Sequence, residues 1–191
     1  MLSALLLIAF TLRVRELETT PPGLTHDEAG NGQDAAAILK GDLRIYFPIG
    51  YGREPLYTYS VALLTGILGQ SIFTLRMTTL LWSILTWVLT VALARRWWGN
   101  RGALLAGALL TCTFWPLMLA RVGLRAPTLP PLFTASILVY DHALPSHNKP
   151  AMPKRTGEHK KLGVLYLLSG GLLGLSLYTY MASRGMPLVY I

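Results

Sequence analysis

Three long apolar segments most constrain what this chain can fold into. They are residues 77–94, "MTTLLWSILTWVLTVALA", residues 103–120, "ALLAGALLTCTFWPLMLA", and residues 162–182, "LGVLYLLSGGLLGLSLYTYMA". Each reaches the roughly 17 to 25 residues that a helix needs to cross a bilayer. The chain is 52% hydrophobic and only 14% charged, whereas an average globular protein is about 25% charged. These features predict an all-α, polytopic membrane protein rather than a soluble domain.

Three weaker apolar segments accompany the long ones. Residues 129–144 are a shorter candidate span that begins near a Pro-Pro pair, and residues 1–12 are interpreted as the outer part of a first span. Residues 55–72 are apolar but rich in Tyr, Thr, Ser and Gly. Because apolar residues stand at both termini, we expect residues 1–191 to be the N-terminal part of a larger transmembrane domain.

The basic residues predict how these segments are oriented. The chain carries a net charge of +8, and the Lys and Arg excess of a membrane protein lies in its cytoplasmic loops. The two basic loops, at about 95–102 and 145–161, are separated by an even number of spans, so we predict that both are cytoplasmic. This arrangement requires that residues 55–72 do not cross the membrane. They either lie along its outer interface or dip into the membrane and return to the same side. Residues 13–73 then form a long extracytoplasmic region.

The same composition limits the partners and cofactors. No basic segment alternates with aromatic residues in a nucleic-acid-binding pattern, so the positive charge is expected to orient helices and to contact anionic membrane lipids. The single cysteine, Cys112, can build neither a disulfide nor a cysteine metal cluster, and His26 has no spaced partner. We therefore predict no nucleic-acid partner and assign no cofactor, and the sequence leaves undecided whether a divalent metal is required.

Ionisable residues also collect on the predicted outer face. They are Asp27, Glu28, Arg53, Glu54, Arg76, Arg121, Arg125 and Arg184. A lipid transporter or flippase would be expected to place ionisable residues or broken helices near the middle of the bilayer instead. Charges at the outer surface of the membrane favour an enzyme that acts at the interface on a lipid-anchored anionic molecule. A polytopic transporter, or an inactive truncated fragment, is the alternative.

The segment "THDEAG" permits two interpretations. Thr25 fits the N-cap of a capping box, in which Glu28 accepts a hydrogen bond from the backbone of Thr25. The adjacent carboxylates of Asp27 and Glu28 also suit a catalytic acid pair, because a helix N-terminus favours negative charge and a general base must be ionised. The two interpretations are compatible. A surface helix is expected over residues 28–40, with Gly41 as its stop.

The other candidates also have structural alternatives. Glu54 precedes Pro55, and proline is favoured at the first position of a helix. Arginines at helix ends commonly extend along apolar surface to anchor a helix at the interface. Arginine is nevertheless unusual on the outer side of a membrane, and its planar fork suits phosphate. We therefore predict that some of the outer arginines bind an anion.

Three motifs of the outer region resemble those of a known family. They are "THDEAGNGQDAAAILKGDL", "GREPLYTYSVALLTGILG" and "TLRM". In this order they resemble the N-terminal part of the GT-C membrane glycosyltransferases of the protein O-mannosyltransferase and aminoarabinose-transferase type, glycosyltransferase family 39. The resemblance implies transfer of a sugar from a polyprenyl-phosphate donor to a lipid, glycan or protein acceptor. From the resemblance together with the predicted orientation of the spans, this function is expected at the extracytoplasmic face of the cell membrane.

The resemblance also implies roles for individual residues. Asp27 would be the catalytic base, Glu28 its supporting neighbour, and Glu54 the acid before the proline of the second motif. Arg76 matches the arginine of the third motif, which is expected near the lipid phosphate. From their place on the outer face, we add three arginines to the predicted phosphate-binding set: Arg53, Arg125 and Arg184. No residue is assigned to a metal.

Overall fold

The structure is a computed structural model that describes residues 1–48, 52–144 and 156–190. Within these ranges, the regular secondary structure is helical, which confirms the predicted all-α class. The α-helices are α1 (Leu2–Val14), α2 (His26–Leu39), α3 (Pro55–Leu68), α4 (Ile72–Cys112), α5 (Phe114–Leu119), α6 (Leu129–Ala143) and α7 (Thr156–Ser176). Two 3-10 helices are η1 (Ala126–Thr128) and η2 (Met181–Tyr190).

One helix of the described residues, α4, is long and apolar enough to cross a membrane. It contains an 18-residue window with a mean hydropathy of 1.8. Three shorter apolar helical stretches are Leu2–Val14, Pro55–Leu68 and Leu162–Ser176. The third predicted span, residues 162–182, therefore ends as a helix at Ser176, and the chain continues into η2.

Gly99 divides α4 into two parts, α4a before it and α4b after it. Its φ of 69° and ψ of −163° are not helical. The Trp87 indole Nε1 donates to the Gly107 carbonyl oxygen at 3.0 Å, across 20 residues. Twenty residues of straight helix would separate these groups by about 30 Å, so α4a and α4b fold back on each other as a hairpin. The predicted spans 77–94 and 103–120 are thus antiparallel neighbours, joined by a turn within the predicted basic loop 95–102.

A second break separates α4b from α5, inside the predicted span 103–120. Thr113 has a ψ of 135° and ends the helix. Pro116 lies three residues later and has no amide hydrogen, and its ring would clash with the carbonyl oxygen of Cys112 in a continuous helix. The proline therefore explains why the apolar stretch is not one uninterrupted helix.

The helices place the basic turn and the predicted outer region at opposite ends of the bundle. α1 is antiparallel to α4a, because Leu2 belongs to the apolar cluster around Val91 while Arg13 Nε donates to Ser83 Oγ at 3.2 Å. α6 ends beside the turn, where Arg96 bonds Asp141. The end of the bundle that contains Gly99 is called the turn end below, and the opposite end is called the loop end. Residues 145–155 of the second predicted basic loop lie outside the described part of the chain.

The loop end is built by α2 and α3. They pack through a small core of Ala35, Tyr57, Val61 and Ala62. Pro55 is the first residue of α3, as predicted, and Gly41 follows α2 with a φ of 96°. The 14 residues of α3 span about 21 Å, less than the roughly 30 Å of a bilayer core. This length agrees with the prediction that residues 55–72 lie along the interface, which stays a prediction.

Candidate functional site

The segment "THDE" folds as the predicted capping box and starts α2. Thr25 Oγ1 accepts a hydrogen bond from the Glu28 N–H at 3.2 Å, and Glu28 Oε2 accepts one from the Thr25 N–H at 2.8 Å. α2 therefore begins at His26, two residues before the predicted start. The box turns Glu28 into the protein and leaves Asp27 exposed on the first turn of the helix.

Glu28 is fully buried and forms an ion pair with Arg76. Arg76 Nε donates to Glu28 Oε1 at 2.9 Å, and the Gly123 N–H donates to the same oxygen at 2.9 Å. Burial raises the pKa of Glu28, but the hydrogen bonds from Arg76, Thr25 and Gly123 and the attraction of the guanidinium outweigh burial. Together they hold the pKa of Glu28 below its ordinary value. Glu28 is thus an ionised anchor that joins α2, α4a and the loop around Gly123.

The remaining donors of Arg76 hold the loop between α1 and α2. Nη1 donates to the carbonyl oxygens of Leu17 at 3.0 Å and Pro21 at 2.9 Å, and Nη2 donates to that of Gly23 at 2.6 Å. The side chain of Arg76 is 0% exposed. Its predicted part in binding a donor phosphate has no support in this arrangement, because the guanidinium offers no surface to a ligand.

The other side of α2 borders a cleft of about 320 Å³. We call it the Asp27 cleft, and its lining residues are Asp27, Asn31, Arg53, Leu124, Arg125, Ala126 and Tyr180. They come from α2, from the segment before α3, from the loop that leads into η1 and from the turn before η2. Three predicted site residues, Asp27, Arg53 and Arg125, therefore lie together in one cavity.

Arg53 is buried at the base of the Asp27 cleft. Its Nη2 lies 2.9 Å from Asp34 Oδ2, and its Nη1 donates to Asn31 Oδ1 at 2.9 Å. Burial raises the pKa of Asp34, although the Arg53 guanidinium opposes this. Nη1 also lies 3.4 Å from the carbonyl oxygen of Asp27. Arg53 thus ties the first three turns of α2 to the segment before α3 and places a positive charge near the backbone of Asp27.

Arg125 is half-buried on the opposite wall of the cleft. Its Nη1 donates to the Gly52 carbonyl oxygen at 2.9 Å and lies 3.3 Å from Glu54 Oε2. The guanidinium carbon lies 5.6 Å from the ring centre of Tyr180, within the range of a cation–π contact. Within the described ranges, no residue accepts a hydrogen bond from Nε or Nη2 of Arg125. Glu54 therefore orients Arg125, and one edge of the guanidinium is available to a ligand.

The turn before η2 completes the cleft. The Leu56 N–H donates to the Tyr178 carbonyl oxygen at 3.2 Å, which brings this turn against the start of α3. Tyr180 is placed over Arg125 by this contact. Arg184, a predicted phosphate ligand, lies on η2 with its side chain exposed and does not line the cleft.

Among the cleft residues that were not predicted from the sequence, two carry side chains that can form hydrogen bonds, Asn31 and Tyr180. Asn31 follows Asp27 by four residues and so shares its face of α2, a spacing that could have identified it. Its side chain also donates to the Gly123 carbonyl oxygen at 3.0 Å, which fixes the loop before Arg125. Tyr180 has no local signal, because its place depends on a contact with a segment more than a hundred residues earlier.

Gly30 gives a direct test of how tightly Arg53 is held. A Cβ at position 30 would lie 2.6 Å from Arg53 Nη2, so Gly30→Ala is expected to push the guanidinium away from Asp34. Alanine normally stabilises a helix by about 0.5 to 1 kcal/mol relative to glycine. We expect Gly30→Ala instead to lower the free energy of unfolding by about 1 to 3 kcal/mol, the cost of leaving a buried polar group unsatisfied.

Denaturant titration in micelles measures this change, and Gly32→Ala on the same helix is the control. A Cβ at Gly32 would meet only the Leu75 side chain, at 3.4 Å, so that variant is expected to be neutral or stabilising. Equal effects of the two substitutions would contradict the tight placement of Arg53.

The described residues contain no group of three or more His, Cys, Asp and Glu side chains that could hold a metal ion. In the cleft, Asp27 is the single residue of these four types.

Comparison with known proteins identifies one family. The family model described as dolichyl-phosphate-mannose-protein mannosyltransferase matches residues 52–149. The matched range contains Arg53, Glu54 and Arg125, and it does not reach back to Asp27 or forward to Tyr180. No curated protein and no solved structure matches the chain.

Proposed function

Because the chain belongs to the dolichyl-phosphate-mannose-protein mannosyltransferase family, a family of membrane glycosyltransferases, we propose that it transfers a sugar from a polyprenyl-phosphate donor to an acceptor hydroxyl. The acceptor is a lipid, a glycan or a protein. The observation that carries the proposal is the Asp27 cleft, in which an exposed carboxylate and an arginine with a free edge face the same cavity. A carboxylate can act as the general base of such a transfer, and a guanidinium can bind the departing phosphate.

Asp27 acts as the general base in this proposal. It accepts the proton of the acceptor hydroxyl while the hydroxyl oxygen forms a bond to the anomeric carbon of the donor sugar. The bond between that carbon and the phosphate oxygen breaks, and the polyprenyl phosphate leaves with the electron pair. The position of Asp27 on the first turn of α2 supports this role, because the helix N-terminus favours the negative charge that a base requires.

Arg125 stabilises the departing phosphate. The charge on the leaving oxygen grows during transfer, and a guanidinium edge can donate two parallel hydrogen bonds to it. Glu54 and the Gly52 carbonyl oxygen hold Nη1 of Arg125, so the remaining edge is already oriented before the donor binds. Arg53 adds a second positive charge among the residues that line the cleft. Glu28, paired with Arg76, holds the loop around Gly123 that leads to Arg125.

We place the cleft on the outer face of a multi-pass membrane domain. In support, the Asp27 cleft lies at the loop end, and the arginines around Gly99 lie at the turn end of the same bundle. The positive-inside rule assigns the turn end to the cytoplasm. A polyprenyl-phosphate donor would then present its phosphate and sugar at the loop end, with its lipid tail in the bilayer.

Arg125→Gln tests the phosphate role. Membranes that contain the full chain are assayed with a labelled polyprenyl-phosphate sugar, and the glycosidic product is quantified. The loss of one charged donor to the developing oxyanion is expected to lower kcat by about 10²- to 10³-fold. Arg125→Lys retains the charge but not the planar fork, and it is expected to recover part of the rate.

The control for this test is Arg44→Gln, an exposed arginine that pairs with Asp42 and does not line the cleft. It should leave the rate within about twofold of the unchanged protein, as expected of a substitution at an exposed ion pair. Movement of labelled lipid across the membrane without a glycosidic product would overturn the enzyme proposal and favour a lipid transporter.

A further inference from the structure

A second cavity lies at the turn end, far from the Asp27 cleft. It is an open groove of about 600 Å³ between α1, α4a and α6. Its long walls are apolar and include Leu2, Leu6, Val88, Val91 and Leu138. We call it the turn-end groove. Its shape and apolar walls suit a hydrocarbon chain that lies along the helices.

The end of this groove beside Gly99 is cationic. Arg95, Arg96 and His142 line it there. Arg96 is bonded to Asp141 through Nε and donates from Nη2 to the Asp141 carbonyl oxygen at 2.9 Å. Arg95 is exposed and has no hydrogen bond or ion pair with any residue in the described ranges. One arginine is therefore fixed by a carboxylate, and the other can bind an anion.

From this combination of apolar walls and a cationic end, we propose that the turn-end groove binds an anionic glycerophospholipid. One acyl chain lies between α1 and α4a, and the lipid phosphate lies against Arg95. The position suits the cytoplasmic leaflet, which is rich in anionic lipid, because the turn end is the end that the positive-inside rule assigns to the cytoplasm. This lipid is distinct from the donor, whose phosphate reacts at the opposite end.

Charge complementarity argues against the neighbouring chain segment as the occupant. Residues 145–161, which follow α6, carry five Lys and Arg against one Glu. A segment of the same sign as Arg95 and Arg96 is repelled from the cationic end of the groove. An anionic lipid, by contrast, satisfies both the apolar walls and the arginines.

The experiment uses the purified protein in detergent. It measures how tightly the protein binds phosphatidylglycerol and phosphatidylcholine that have identical acyl chains. We expect phosphatidylglycerol to bind at least about tenfold more tightly. Arg95→Gln is expected to raise the Kd for phosphatidylglycerol about fivefold, the usual contribution of one basic residue near an anionic lipid. Arg101→Gln is the matched control, because Arg101 is exposed beyond Gly99 and does not line the groove.

A second pair of variants tests the hydrocarbon part of the groove. Val88→Trp fills the groove and is expected to raise the Kd for both lipids about tenfold, whereas Leu105→Trp, an exposed position on α4b outside the groove, leaves it unchanged. Leu138→Trp from the opposite wall replaces Val88→Trp if that variant lowers the thermal unfolding midpoint.

Three results would overturn the proposal. The first is equal affinity for the two lipids, and the second is an equal effect of Arg95→Gln and Arg101→Gln, which would indicate a diffuse surface charge. The third is full displacement of the lipid by excess inorganic phosphate, which would indicate a headgroup site without a chain-binding groove. Because none of these measurements depends on sugar transfer, they are independent of the role proposed for Asp27.

Discussion

Replacing Asp27 by asparagine is expected to slow sugar transfer by about 10²- to 10⁴-fold, the usual contribution of a general base. Asparagine keeps the size of the side chain but cannot accept the proton of the acceptor hydroxyl. The fold should not change, because the side chain of Asp27 is exposed and the capping box depends on Thr25 and Glu28 instead. The loss should appear in kcat, since the proton moves during the chemical step.

This effect is measured as the rate of sugar transfer from a labelled polyprenyl-phosphate sugar by membranes that contain the full chain. Glu18→Gln is the matched control, because Glu18 is an exposed carboxylate of the loop that precedes α2 and does not line the cleft. The control is expected to retain the full rate. Undiminished transfer by Asp27→Asn would remove Asp27 from the mechanism while leaving membership of the family intact.

Arg76→Met is expected to produce the largest loss of stability, about 3 to 5 kcal/mol in the free energy of unfolding. The substitution leaves the Glu28 carboxylate buried without its guanidinium, which is the costly way to break a buried ion pair. It also removes the donor to four carbonyl oxygens of residues 17–23. Denaturant titration of the purified chain in micelles measures the change.

Two controls separate the buried pair from a general charge effect. Arg44→Met breaks the exposed pair with Asp42 and is expected to cost less than about 1 kcal/mol. The double variant Arg76→Met with Glu28→Gln removes both buried charges and should recover part of the loss, because a neutral amide is cheaper to bury than an unpaired carboxylate. Similar losses for Arg76→Met and Arg44→Met would contradict the anchoring role of the buried pair.

Local features of the fold were predictable from the sequence. The capping box needs only Thr25 and Glu28, three residues apart, and Pro55 marks the start of α3 by its own backbone chemistry. The apolar segments likewise indicate helices because their pattern is local. The exact ends were less predictable: the helix break at Thr113 depends on Pro116, a single residue inside an otherwise continuous apolar stretch.

The division of the charged residues between support and cleft was predictable for Asp27 and Glu28, because the capping box already assigns Glu28 to the helix start, but it was not predictable for the arginines. Asp27 and Glu28 are adjacent in sequence, yet one is exposed and the other fully buried, because the helix turns them to different sides. Arg76 and Arg125 are both predicted to lie on the outer face, and both follow a leucine in the sequence. Only long-range contacts distinguish them: Arg76 meets Glu28 across 48 residues, and Arg125 meets Gly52 across 73.

The long reach of the Glu28 anchor has a consequence for the order in which the protein is assembled during translation. Glu28 leaves the ribosome 48 residues before Arg76 and 95 residues before Gly123. Until then, the hydrogen bonds available to its carboxylate come from its own turn, where the Thr25 amide is three residues away. The capping box is therefore the first contact within the chain that the Glu28 carboxylate can make, and the contacts with Arg76 and Gly123 are added only after those residues have been synthesised.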